Sequence, residues 1–148
     1  MQVRTLRNSD DTEWLRMRDA LWPGLPESQH RAEMLGYRST PEWAVFVADR
    51  GDGRLGGFLE MGRRPFTDGC TSSPVPYIEA WYVDSDLRRS GVGRALVEAA
   101  ERHARDGGST EIASDCVLDN EVSRIAHGSL GYEEVHRSIH FRKMLTGA

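Results

Sequence analysis

The order of hydrophobic patterns along this chain predicts an α/β fold, an α+β or α/β sandwich in which one mixed sheet carries helices on both faces. Three observations predict it. Strand-like and helix-like segments follow one another in the order β-α-α-β-β-β-α-β-α-β-β. The segment "VPYIEAWYV" (75–83) is almost continuously apolar and aromatic, the pattern of a central strand covered on both sides. Directly after it, Val92, Ala95, Leu96, Ala99, Ala100 and His103 recur on one helical stripe.

Each element has its own local signal. "QVRTL" (2–6) alternates as a short first strand. Ser9 or Asp10 followed by Glu13 reads as a helix start with a capping box, and Trp14, Leu15, Arg18, Leu21 and Trp22 then recur at helical spacing until Pro23-Gly24. Residues 23–41 contain Pro23, Pro26 and Pro41 and a weakly patterned helix over about 27–37, so the expectation there is a loop-rich cover rather than core. "WAVFVA" (43–48) and "RLGGFLEMG" (54–62) flank "DRGDG" and predict a hairpin with a tight Asp-Gly turn. A polar connection, "RRPFTDGCTSSP", leads to the strand at 75–83. The helix after it ends at Gly107-Gly108. A short strand, "TEIAS" (110–114), precedes a helix with Val122, Ile125, Ala126, Ser129 and Leu130 on one face and Gly131 as its stop. "EEVH" and "SIHFRKML" alternate and predict a final antiparallel pair.

Composition narrows the function classes. The 148 residues, 39% hydrophobic and 28% charged, suit one soluble domain spanning 1–148. A net charge of −4 gives nucleic-acid binding no electrostatic support. No apolar run has the length of a membrane span, and "MQVRTLRNSDD" has no apolar core of a signal peptide. Cys70 and Cys116 follow no metal-ligand spacing and read as reduced thiols of a cytoplasmic protein. His103, His136 and His140 are too dispersed for a metal site, so the expectation is no metal.

The stretch "DLRRSGVGRAL" (86–96) carries the strongest chemical signal. It lies between the central strand and the amphipathic helix, where unpaired N–H groups and the helix dipole favour an anion. Arg88, Arg89 and Arg94 surround Gly91 and Gly93, which let a phosphate approach the backbone. The spacing is neither a P-loop nor a dinucleotide fingerprint. Its bland alternative is a positively charged turn that binds nothing, and the strand before it favours a pyrophosphate site. Glu79 interrupts the apolar strand, on the side of Tyr77 and Trp81 if alternation is regular. A carboxylate there is either a strand-end acid that reaches solvent or pairs with an arginine, or a functional group that attracts a cation or takes a proton, and its apolar neighbours favour the second. Asp115 ends the next strand and is expected near Glu79; a turn-forming aspartate is the alternative. Trp22 is either core or a surface for a sugar ring. Cys116 reads as a small buried residue.

An aromatic strand, then Arg-x-x-Gly-x-Gly, then an amphipathic helix is similar to the coenzyme-A-binding motif of GNAT-type N-acetyltransferases, and the element order matches that family over nearly the whole chain. The resemblance implies a mostly antiparallel sheet whose fourth and fifth strands splay apart, and acetyl-CoA as co-substrate. It places the pyrophosphate on Arg88, Arg89, Ser90, Gly91, Val92, Gly93 and Arg94, the pantetheine arm along Trp81, Tyr82 and Val83, and Asn120 against that arm. "LWPG", "GCTSSPV", Glu79, "ASD", "LGY" and "FRK" together resemble the aminoglycoside 6'-N-acetyltransferases from about Leu21 to Lys143. That resemblance implies acetylation of the 6'-amino group, hence antibiotic resistance, by direct attack in a ternary complex. It also implies a homodimer, and a drug site lined by Trp22, Glu79 and Asp115. The chain departs from the pattern at Pro65-Phe66, where some members carry Asp-Tyr, so Phe66 and Asp68 are the residues expected on the substrate side there, with Asp68 in place of the lost charge. It departs again at His127, where many GNAT enzymes carry a tyrosine that protonates the departing thiolate, so that His127 is either a packed helix residue or an acid. A GNAT enzyme for another small amine, a polyamine or a protein N-terminus, and a non-catalytic CoA-binding sensor, are the alternatives.

Overall fold

The computed structural model describes residues 1–147. They fall into two compact units, Met1–Asp115 and the part from Cys116 onward. In the first unit, β1 (Gln2–Thr5), β2 (Ala44–Asp49), β3 (Leu55–Arg64), β4 (Val75–Val83) and β5 (Ala113–Ser114) form one sheet in sequence order. The first four strands are antiparallel to their neighbours, and β4 runs parallel to β5. The helices are α1 (Asp11–Leu21), α2 (Glu27–Ser39) and α3 (Val92–Asp106), and α4 (Glu121–Ser129) belongs to the second unit. The first nine predicted elements are therefore present in the predicted order.

Strand parity sets the two faces of the sheet. Val45, Val47, Phe58 and Ala80 join Trp14, Met17 and Met34 in a core on the side of α1 and α2. On the opposite side Phe46 meets His103 of α3 edge-on, and a Cβ on Gly57 would lie 3.2 Å from Leu96. Fully burying a side chain such as Leu96 contributes about 1.5–3 kcal/mol, so α3 is held on the sheet chiefly by its apolar stripe.

Several local expectations are corrected. Glu13 does not reach back to cap its own helix; its carboxylate accepts from the Leu55 N–H at 3.0 Å and ties α1 to the start of β3. The segment 23–41 is not a mere cover, because α2 is longer than its weak pattern suggests and buries His30 and Met34. A bulge in β4 breaks the alternation assumed for Glu79: Glu60 pairs with Ala80 and Met61 with Ile78, which leaves Glu79 as the extra residue.

In the second unit, Asn120 caps α4 by accepting from the Ser123 N–H at 3.1 Å, and Gly131 follows the helix at φ +88°. Val122 and Ile125 are exposed rather than buried as the stripe suggested. The predicted final pair over 133–145 is absent: the described residues there are neither helix nor strand. A two-stranded pair is marginal by itself, and the alternating Val135, Ile139, Phe141 and Leu145 lie exposed.

Candidate active site

The turn before α3 is open to an anion. Gly91, its N-cap, sits at φ +90°, and nothing lies within 4 Å of where a Cβ would be. A positive φ is tolerated by glycine and strains a branched residue. The hydroxyl of Ser90 donates to the Leu87 carbonyl, and Arg88 Nε donates to the Val83 carbonyl at 3.1 Å. These bonds fold the loop so that exposed Arg88, Arg89 and Arg94 flank the first turn of the helix. Cationic side chains, unpaired helix N–H groups and clear space at Gly91 fit a pyrophosphate. Gly93 has a different reason from the one its spacing suggested. A Cβ there would stand 3.3 Å from the Trp81 indole, so Gly93 lets α3 pack on β4.

The middle of β4 holds one carboxylate, Glu79, and Asp115 follows β5 beside it. Among the described residues β4 pairs with β5 through Tyr77 and Ile78, while β4 itself runs on to Val83. The strands therefore part at Glu79, which leaves the edge along Trp81, Tyr82 and Val83 without a β5 neighbour. Parity on β3 puts Phe58, Glu60, Gly62 and Arg64 on the α1–α2 face, with Tyr77 opposite Gly62. The Glu79 Cγ lies 3.8 Å from the Cβ position of Gly62, on that same face. Trp81 instead faces α3, contrary to the shared side that regular alternation would give it.

Glu79 and Asp115 are brought together by a residue that the sequence reading missed. Arg64 Nε and Nη2 bind the two Glu79 oxygens at 2.8 Å each, and Nη2 lies 4.0 Å from Asp115 Oδ2. The guanidinium carbon stacks 3.6 Å from the Tyr77 ring centre, and the Tyr77 hydroxyl donates to Asp115. Burial pushes the Tyr77 hydroxyl pKa up, and its bond to Asp115 pushes the same way. The Glu79 bond raises that of Arg64. Glu79 itself is exposed, not enclosed in the strand interior as its apolar neighbours implied.

The enclosed carboxylate is Glu60, 1% exposed. Arg18 Nη1 donates to both of its oxygens, and Trp14 Nε1 donates to it at 3.2 Å. Arg18 further binds Glu33, and its Nε donates to His30 Nδ1 at 3.2 Å. Burial pushes the Glu60 carboxyl upward against the pull of Arg18. Burial also raises the Tyr37 hydroxyl, and the charges of Glu60 and then Glu79 add to that. The Tyr37 ring lies tilted against Trp43, 5.2 Å between ring centres, and the Trp43 indole borders Gly62 beside Glu79. Trp22 belongs to this second group, with Arg18 4.9 Å over its ring and His30 at 6.3 Å.

The remaining candidates are placed more simply. Phe66 and Asp68 are exposed on the β3–β4 connection, which Glu111 holds by accepting from the Thr71 and Ser72 N–H groups. The Asn120 carboxamide oxygen is engaged in its helix cap. His127 Nδ1 lies 2.7 Å from the Ser123 carbonyl, with its ring edge-on to Tyr132, as a packed helix residue would be. Cys70 and Cys116 form no disulfide, and Cys116 is half-buried rather than buried as expected. Among the described residues no group of three or more His, Cys, Asp or Glu side chains could hold a metal ion.

The family model described as acetyltransferase (GNAT) family matches residues 11–132. An aminoglycoside N(6')-acetyltransferase type 1 of Klebsiella aerogenes is 42% identical over 146 residues, covering 97% of this chain and 96% of the relative. One of Stenotrophomonas maltophilia is 36% identical over 97% of this chain and 93% of its own. The solved structure of AAC(6')-Iy with the bisubstrate analogue CoA-S-monomethyl-acetylneamine superposes with a TM-score of 0.90 at 33% identity, covering 97% of both chains. The apo structure of AAC(6')-IG from Acinetobacter haemolyticus gives 0.89 at 32% identity, covering 99% of this chain and 100% of that one. The chain belongs to the acetyltransferase (GNAT) family and groups within it with the aminoglycoside N(6')-acetyltransferases.

Proposed function

We propose that this protein transfers acetyl from acetyl-CoA to the 6'-amino group of aminoglycosides, the reaction that gives aminoglycoside resistance. The observation that carries the reading is the placement of Glu79 and Asp115 together where β4 parts from β5, on the strand that leads into the α3 turn.

Arg88, Arg89, Arg94 and the first N–H groups of α3 hold the pyrophosphate, and Ser90, Gly91, Val92 and Gly93 shape the turn around it. The bound co-substrate supplies an acetyl thioester. The open edge of β4 along Trp81, Tyr82 and Val83 receives the extended arm, and backbone N–H groups there stabilise negative charge on the acetyl oxygen. Asp115 and Glu79 draw in the cationic acceptor, and Trp22 packs against a sugar ring. Phe66 and Asp68 border the acceptor on the β3–β4 connection. Glu79 accepts the proton that the acceptor ammonium must lose, directly or through one water. The nitrogen–carbon bond then forms as the carbon–sulfur bond breaks. A thiol of pKa about 8.5 leaves as thiolate without a dedicated acid, which accords with the packed setting of His127.

We also infer that residues 1–148 act as one acetyltransferase domain in the cytoplasm, since the family match runs across the Asp115–Cys116 boundary and no helix is long and apolar enough to cross a membrane. Exposed Ile139, Phe141 and Leu145 support a homodimer, which light scattering on the eluting protein tests. For the activity, acetyl-CoA consumption is measured across kanamycin-type aminoglycosides and simple amines. Glu79→Gln should retain acetyl-CoA binding and lose turnover. Activity confined to simple amines would overturn the acceptor assignment, and absence of turnover with any amine would favour a CoA sensor.

A further inference from the structure

Glu79 and Asp115 do not wait bare for a cation, because Arg64 already fills the place between them. Three separate contacts hold its guanidinium: the two-pronged bond to Glu79, the approach to Asp115, and the face of Tyr77, whose hydroxyl is itself turned to Asp115. A flat, delocalised cation suits this position, since it stacks on a ring and forks onto a carboxylate at once. The Arg64 side chain is 44% exposed, so its outer side faces solvent and it can swing away without opening the core. Two carboxylates and one guanidinium leave one negative charge in excess, enough to recruit a further cation.

We propose that Arg64 is a specificity-determining residue: it occupies the seat of the acceptor ammonium at Glu79 and yields it only to an acceptor that brings a second positive charge for Asp115. This rests on the proposed reading of Glu79 and Asp115 as the acceptor site. A polycation satisfies both carboxylates as Arg64 leaves, and the exchange is nearly balanced. An acceptor with one amine either fails to displace the two-pronged pair or leaves one carboxylate without its partner. The filter is therefore electrostatic and comes before the chemistry.

The test compares wild type and Arg64→Ala on a kanamycin-type aminoglycoside and on 6-amino-6-deoxyglucose, a sugar with one amine. In Arg64→Ala the KM for the one-amine sugar falls about tenfold, as expected when a charge-assisted bond no longer has to be broken. The KM for the aminoglycoside changes by less than about threefold, the range of a screened surface pair. Millimolar methylguanidine then acts on Arg64→Ala as a competitive inhibitor against the one-amine sugar and restores the wild-type KM. It leaves wild type unaffected, because the seat is filled. Arg64→Gln carries the same prediction should the alanine variant fail to fold, and an unchanged KM for acetyl-CoA certifies either variant. An equal or higher KM for the one-amine sugar, or no response to methylguanidine, overturns the role of Arg64 while an active wild type keeps the acceptor site. A wild type inactive on every amine overturns the site itself.

Discussion

Removing the Glu60 carboxylate should unsettle this molecule more than any surface change. In Glu60→Leu the Arg18 guanidinium, 1% exposed, loses both Glu60 oxygens and keeps His30, the half-exposed Glu33 and the face of Trp22. Orphaning one member of a buried ion pair costs about 3–5 kcal/mol. That is a large part of the roughly 5–15 kcal/mol by which a domain is stable. At about 2–4 °C per kcal/mol for a chain of this size, Tm should drop by about 6–20 °C. Glu33 offers partial relief and argues for the lower half of that range. The double variant Arg18→Met/Glu60→Leu removes both charges and should recover to within about 1–3 kcal/mol of wild type, because a packed apolar pair replaces a buried ionic one at little loss and the remaining deficit is the buried Trp14 N–H left without its acceptor. Urea unfolding of the four proteins in the cycle measures the coupling. Trp22 rests on Arg18, so the single variant should also raise the KM for the acceptor and leave that for acetyl-CoA unchanged. A Glu60→Leu protein as stable as wild type, or a double variant no better than the single, would refute the reasoning.

Three further outcomes follow from the same geometry. Gly91→Val places a branched residue at φ +90° where the pyrophosphate should approach, and the KM for acetyl-CoA should rise several-fold; an unchanged KM removes Gly91 from the cradle. Gly93→Ala sets a methyl 3.3 Å from the Trp81 indole, so stability should fall by about 1–3 kcal/mol with a shift in tryptophan emission; a silent substitution counts against that packing. The protein should lose stability in acid below about pH 4, the ordinary carboxylate range. Burial pushes Asp10 and Asp84 up, but hydrogen bonds from Arg4 and the Arg7 N–H, and from Arg16, Arg50 and Tyr82, outweigh it and hold both below their ordinary values. Their stabilisation is thus present above the unfolded pKa and lost as pH falls through the folded one. Asp84→Asn should flatten the acid limb of a Tm-against-pH curve, and an unaltered curve denies Asp84 its part.

What could be read from the sequence was whatever local pattern controls. The apolar run at 75–83, the Asp-Gly hairpin and the α3 stripe each carry their own period, and each element forms where that period places it. The glycines and arginines of the α3 turn were legible as an anion site because backbone chemistry alone explains them. Arg64 was not, because its meaning depends on facing Tyr77 across two strands and Asp115 at the end of a third. Glu60 left a signal that went unused: it shares the parity of Phe58 in an apolar strand, so a buried partner was required. Which arginine served could be known only once α1 lay over the sheet. The C-terminal alternation proved least informative, since period 2 states a preference for pairing and says nothing of a partner.

The bulge in β4 separates the candidate chemistry from the architecture. Ile78 faces Met61 and Ala80 faces Glu60, so the ladder is complete on either side of Glu79 and has no rung for it. Excising Glu79 would leave a regular strand with every neighbour still on its own face. The residue proposed to take the proton is thus surplus to the sheet, free to be replaced or lost at little cost in stability. A strand that carries its reactive group as a supernumerary can change acceptors, or give up the reaction, and go on folding as before.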